Sequence, residues 1–233
     1  MKLIKSLALA ATIAFAMPVY AQFTNGSGGG VSSAAEVSPY DRISVSYNNT
    51  NLSANKQAGD DDVSLNGVGL EYTHGFALSS AKPVYLEFGV KGRYSLGNYD
   101  MDKEELTRKY QFLTAIVPLN VTYAFPVGEN VSIAPYAGIN FKFHILGKYK
   151  NEFEDNIYGD DDDKSFNVFD KKDMGGKDYT WNRFQMGWQV GVGARYDKFY
   201  LGLSYGTDFI KSYKNKKASI SSSDFVLSLG YCF

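Results

Sequence analysis

Residues 223–233 read "SDFVLSLGYCF", and their spacing decides the fold. Phe225, Leu227, Leu229, Tyr231 and Phe233 share one parity. Asp224, Ser228, Gly230 and Cys232 share the other, interrupted only by Val226. Alternation with a period of two describes a β-strand with one apolar face and one small or polar face. Going back along the chain, the same texture recurs in seven more runs, roughly 40–48, 63–77, 84–96, 107–124, 131–147, 182–196 and 199–211. Composition agrees. Aromatic residues make up 15% of the 233, and glycine is abundant at 23, a mixture that suits sheets better than helices.

The connections alternate in kind. "LSSAKP" (78–83), "PVGEN" (126–130) and "DK" (197–198) are short, whereas 49–62, 97–106, 148–181 and 212–222 are long and polar. In an up-and-down meander, successive connections fall at opposite ends of the sheet, so the short ones share one end and the long ones the other. Short periplasmic turns, long extracellular loops and an even strand number describe an outer-membrane barrel. Closure also removes sheet edges that lipid could not satisfy. The expected fold is therefore all-β: an eight-stranded antiparallel up-and-down transmembrane β-barrel over 40–233.

Alternation by itself leaves a soluble, lipocalin-like barrel open, with the bulky face inside. Three features favour the membrane: runs near the ~9–11 residues a tilted spanning strand needs, aromatics at strand ends (Tyr123/Phe125, Tyr196/Phe199, Trp181/Phe184), and the aromatic final residue. The amino terminus reads as a secretory signal over 1–21: Lys2 and Lys5, then the apolar "LALAATIAFAM" (7–17), then Val19-Tyr20-Ala21. A Gly/Ser-rich flexible leader spans 22–39.

The resemblance goes further. "PYAGINFKF" (135–143), "GWQVGVGARYDKFYLGLSYG" (187–206) and "LSLGYCF" are similar to segments of small outer-membrane barrels of the OmpA, OmpX and opacity type. That resemblance implies that Phe225, Leu227, Leu229, Tyr231 and Phe233 act as an assembly signal read by the barrel assembly machinery. It specifies architecture more than activity, because such barrels include adhesins, stability factors, small porins and a few enzymes.

On the inward parity stand Glu71, Glu87, Lys91, Arg93, Lys142, His144, Arg183, Arg195, Asp208 and Asp224, with Arg42 beside them. An eight-stranded lumen is just wide enough for side chains to fill, and buried ions must be paired, so a polar plug is expected. A selectivity-lining pore is the alternative. Catalysis has little support: His74 and His144 are the only histidines, and neither has a Ser or Cys nucleophile motif beside it. The single Cys232 excludes an intramolecular disulfide, and a net charge of −1 gives no reason to expect nucleic acid. No cofactor or metal is expected. A calcium loop at Asp160, Asp161, Asp162 and Asp163 fails because Phe166 stands where the turn glycine is needed.

The segment 150–178 carries ten acidic and five basic residues interleaved with Phe153, Tyr158, Phe166 and Phe169. Three readings stay open: a recognition loop for an extracellular partner, aromatics folded back over the barrel mouth, or a mobile charged loop. The expected role is structural or surface-interactive, in a monomer contacting outer-membrane lipid. A narrow passive porin and, behind it, a lipid-modifying enzyme are the alternatives.

Overall fold

The computed structural model describes residues 37–54, 62–101, 106–153, 165–176, 180–214 and 219–233. The signal sequence, most of the leader, and Tyr158 and Asp160–Asp163 lie outside them. Eight long strands follow in chain order: β1 (Tyr40–Ala54), β2 (Asp62–Ala77), β3 (Val84–Met101), β4 (Leu106–Tyr123), β5 (Val131–Phe153), β6 (Phe184–Tyr196), β7 (Phe199–Asp208) and β8 (Ser219–Cys232). Each pairs antiparallel with its sequence neighbours, and β1 pairs with β8 from Arg42↔Cys232 to Ala54↔Ile220, closing the barrel. Three short strand segments, Phe125–Pro126, Ser165–Asn167 and Tyr213–Lys214, are added at the two ends.

The period-two pattern sorts the side chains. Outward positions such as Ile43, Val45, Leu70, Phe88, Val121, Val190, Leu203 and Leu229 are exposed and apolar. Inward positions such as Ser44, Asn48, Thr73, Glu87, Lys91, Asn120, Lys142 and Asp224 are buried and polar. This is a soluble protein turned inside out, and only an apolar solvent makes it stable.

The strands run further than the alternation suggested. β1 reaches Ala54, β3 reaches Met101, and β4 starts at Leu106. Most of 97–106, expected as a long loop, is paired strand, with Gly97↔Tyr110 and Asn98↔Lys109 in register. Polar residues there alternate no less regularly than apolar ones, but no apolar face marks the alternation. Phe153, expected in the surface loop, is the last residue of β5, paired with Leu106.

β5 also changes parity. Thr114 pairs with His144 and Leu113 with Leu146, leaving Ile145 as an extra residue, a β-bulge. Below it the inward residues are even-numbered (Asn140, Lys142, His144), and above it the inward position is Gly147.

Glycines make room for lumenal rings. A Cβ on Gly191 would stand 2.4 Å from Tyr136 Cζ, and one on Gly193 2.5 Å from Tyr200 Cε2. Gly191→Ala is expected to cost about 1–3 kcal/mol by overpacking. Equilibrium unfolding in urea checks this, and a loss of a few tenths would show that the Tyr136 ring can swing clear.

Candidate functional site: the lumen and its roof

The lumen is filled in levels. At the turn end, Arg42 Nη1 and Nη2 lie 3.4 and 3.5 Å from the Glu87 carboxylate, and Nη2 donates to Thr73 Oγ1 at 3.3 Å. The guanidinium sits 4.0 Å over the Tyr200 ring, and Tyr40 OH donates to Glu87. Arg195 stands at the lower rim, its Nε donating 2.7 Å to Asp197 O.

In the middle, Lys91 Nζ donates to Asn48 Oδ1 at 2.8 Å, and Glu71 accepts from Thr73 Oγ1 at 3.1 Å. Gln189 Nε2 reaches Asn120 Oδ1 at 2.7 Å. The cavity these groups enclose is about 50 Å³, room for a few water molecules.

The upper level is ionic. Asp224 accepts from Arg93 Nη1 at 2.7 Å, Thr50 Oγ1 at 2.5 Å and Lys142 Nζ at 2.5 Å. Lys142 Nζ also lies 2.7 Å from Asp208 Oδ1. Two carboxylates thus face two cations in a site with almost no solvent exposure, the pairing that buried charge requires. Above them, Thr114 Oγ1 and His144 Nδ1 are 2.9 Å apart.

The residues expected as one network are therefore distributed. Arg93, Lys142, Asp208 and Asp224 form one cluster, Glu87 joins Arg42, and Glu71 and Lys91 line the middle cavity. Arg183 precedes β6 rather than lining the lumen: its Nη1 donates to the His144 and Ile145 carbonyls at 3.2 Å each. Those carbonyls are at the bulge, so Arg183 satisfies the backbone that the extra residue disturbs.

Over the extracellular mouth lies an apolar roof. Leu52, Leu65, Phe112 and Val168 are buried together, with Tyr110, Phe169, Trp181 and Ile220 packed against them. Trp181 stacks on Phe112 with centroids 5.8 Å apart, and Phe169 stacks on His144 at 5.8 Å. Arg183 lies 4.5 Å over the Phe169 ring. Two backbone bonds, Val168 N to Gly147 O (3.0 Å) and Trp181 N to Val168 O (2.9 Å), tie the segment down. Gly147 is needed here, since a Cβ on it would meet Phe169 Cε2 at 2.4 Å.

One expectation is corrected: Trp181 packs into the roof instead of joining an interfacial girdle. Of the three readings of 150–178, Phe169 follows the one in which aromatics fold back over the barrel mouth, while Phe166 lies in the short strand that pairs with β5, stacked on Tyr149 at 5.2 Å. Phe225, Leu227, Leu229 and Tyr231 on the outward side of β8, and Phe233 directly after it, are exposed.

A closed antiparallel barrel with polar groups inside and an apolar belt outside defines a membrane-spanning β-barrel. A family model described as "Outer membrane protein beta-barrel domain" matches residues 7–233, and the chain belongs to that family, which resides in the bacterial outer membrane. No curated protein is matched. Among solved structures, the chain is similar to Ail, the attachment invasion locus protein of Yersinia pestis. The identity is 15% and the TM-score 0.41, covering 84% of this chain and 99% of that one. It is also similar to Neisserial surface protein A (15%, TM-score 0.37, 82% and 96%). A third is the outer membrane enzyme PagL (10%, TM-score 0.38, 78% and 97%).

Proposed function

We propose that this barrel is a non-conducting, non-catalytic membrane anchor that presents its extracellular segments, above all 150–178, to the surroundings of the cell. The observation that carries this reading is the roofed and filled lumen. The upper ion cluster and the apolar roof block the axis in series, and the middle cavity holds no more than a few waters. A solute crossing would have to break buried ion pairs and displace stacked rings, each costing several kcal/mol. The outward aromatics of β8 fit a role as an assembly signal.

Against catalysis stand the surroundings of the histidines. His74 Nδ1 is 2.8 Å from Asp41 Oδ1, which also accepts from Tyr72 OH at 2.5 Å, a pairing without a nucleophile. His144 lies beneath Phe112 and Phe169, out of reach of a lipid substrate.

Protein purified from outer membranes is expected to be silent in planar bilayers while still migrating as a heat-modifiable, folded barrel. Stable ohmic steps that shift when Arg93 or Glu87 is neutralised would overturn the reading and make the protein a small porin.

A further inference from the structure

The outer wall carries a feature that the lumen does not explain. Cross-strand rows can be read directly from the register. One outward row runs Leu229–Val45–Leu70–Gly92–Ala115, and the next above it runs Leu227–Tyr47–Val68–Tyr94–Leu113. At Gly92 the first row has no side chain, and a Cβ placed there would meet nothing within 4 Å. The result is an apolar groove of about 630 Å³ across β8, β1, β2 and β3, reaching Leu113 on β4. Its walls include some of the most exposed aliphatic groups of the belt: Val45 57%, Val68 65%, Leu70 61% and Leu229 57%.

Immediately above, toward the extracellular end, the chemistry changes. The next row runs Phe225–Asn49–Asn66–Leu96–Gln111. Tyr47 OH and Asn49 Nδ2 both donate to Asn66 Oδ1, at 2.6 and 3.0 Å, and Gln111 Nε2 donates to Tyr94 OH. Among the described residues this leaves Asn66 Nδ2 and Asn49 Oδ1 with no partner, facing outward as a free donor beside a free acceptor. The row contains amides and no ionised group. Tyr47 and Tyr94 join both parts, lining the groove with their rings and the amide row with their hydroxyls.

We infer that this face docks one outer-leaflet glycolipid, an acyl chain lying in the groove at Gly92 and sugar hydroxyls meeting the Asn49–Asn66 and Gln111–Tyr94 pairs. The groove supplies apolar area. The amides supply paired donors and acceptors, which suit hydroxyls better than the charge-assisted contacts a phosphate would select. The continuity of groove and amide row, at the level where the apolar belt ends, matches an amphiphile standing upright in the extracellular leaflet. The inference does not depend on whether the lumen conducts.

The test uses protein purified from outer membranes, stripped in detergent and placed in nanodiscs of equal parts phosphatidylglycerol and digalactosyl diacylglycerol. Lipid that survives return to detergent is identified by native mass spectrometry. The expected result is one retained glycolipid, favoured over phosphatidylglycerol by roughly tenfold, about 1.4 kcal/mol. Gly92→Leu fills the groove in open space, so it keeps the heat-modifiable fold and loses retention of either lipid. The double variant Asn49→Ala, Asn66→Ala keeps a bound lipid but loses the preference. Equal retention of both lipids by the unaltered protein overturns the headgroup assignment. Unchanged retention in a folded Gly92→Leu barrel overturns the groove, and so does a dimer mass that this variant abolishes, since the occupant would then be a second copy.

Discussion

Asp224→Asn is expected to lower the unfolding free energy by about 3–5 kcal/mol, the loss typical of removing one partner from a buried ion pair. One carboxylate serves Arg93, Lys142 and Thr50 at once, and Asp208 touches Lys142 but lies too far from Arg93 to form an ion pair. The asparagine would keep the shape and lose the charge, leaving the Arg93 guanidinium buried without a counter-ion. Adding Arg93→Met should recover part of the loss, because the stranded guanidinium is then removed while Lys142 keeps its 2.7 Å ion pair with Asp208. Reversible unfolding of the barrel in lipid vesicles, followed by tryptophan fluorescence and gel mobility, measures both. A single-variant loss below about 1 kcal/mol would mean that water reaches the cluster.

The second large effect belongs to the roof. Phe112 touches Trp181, His144 and Phe169, so Phe112→Ala removes the ring on which the others rest. Truncating a buried Phe costs about 3–5 kcal/mol. Here the cost is expected to fall on the covering segment above the ion cluster, which is tied to the strands by the short pairing of 165–167 with β5 and the Val168–Gly147 backbone bond. The expected signature is local opening: added protease cuts between Val168 and Trp181 many times faster, while the strands stay paired and the gel shift is unchanged. If cleavage and global unfolding accelerate together, roof and barrel are one cooperative unit.

The sequence carried the barrel legibly because membrane strands must alternate, and each of the eight was marked by an apolar face. The inward assignments of Glu87, Lys91, Arg93, Lys142, Asp208 and Asp224 rest on the same parity. What parity could not supply was depth. Arg183 and Arg195 share a parity with the lumen, yet one braces a bulge at the top and the other a turn at the bottom. The bulge at Ile145 left no mark, since an extra residue between His144 and Leu146 looks like one more apolar position. The roof stood in the sequence only as one of three open readings of 150–178, and its members could not be picked out. Phe112 lies on a strand, while Val168, Phe169 and Trp181 lie in a polar segment. Their meeting is set by two backbone bonds, Val168 N to Gly147 O and Trp181 N to Val168 O, that no local pattern announces.

The β1–β8 seam bears on how the molecule comes to exist. Thr50 and Asp224, 174 residues apart, are hydrogen-bonded across it, and Asp41 and Phe233 exchange backbone bonds at its lower end (3.2 and 2.9 Å). All other long-strand pairings join neighbours in the chain, so they can form as a growing meander. The seam alone demands the longest loop closure, and such contacts come late and slowly. Until then the meander carries two raw edges and a fully formed greasy face. A stalled intermediate of this kind is sticky in water and unsatisfied in lipid. Survival in the cell thus depends less on the depth of the finished well than on how briefly the last gap stays open.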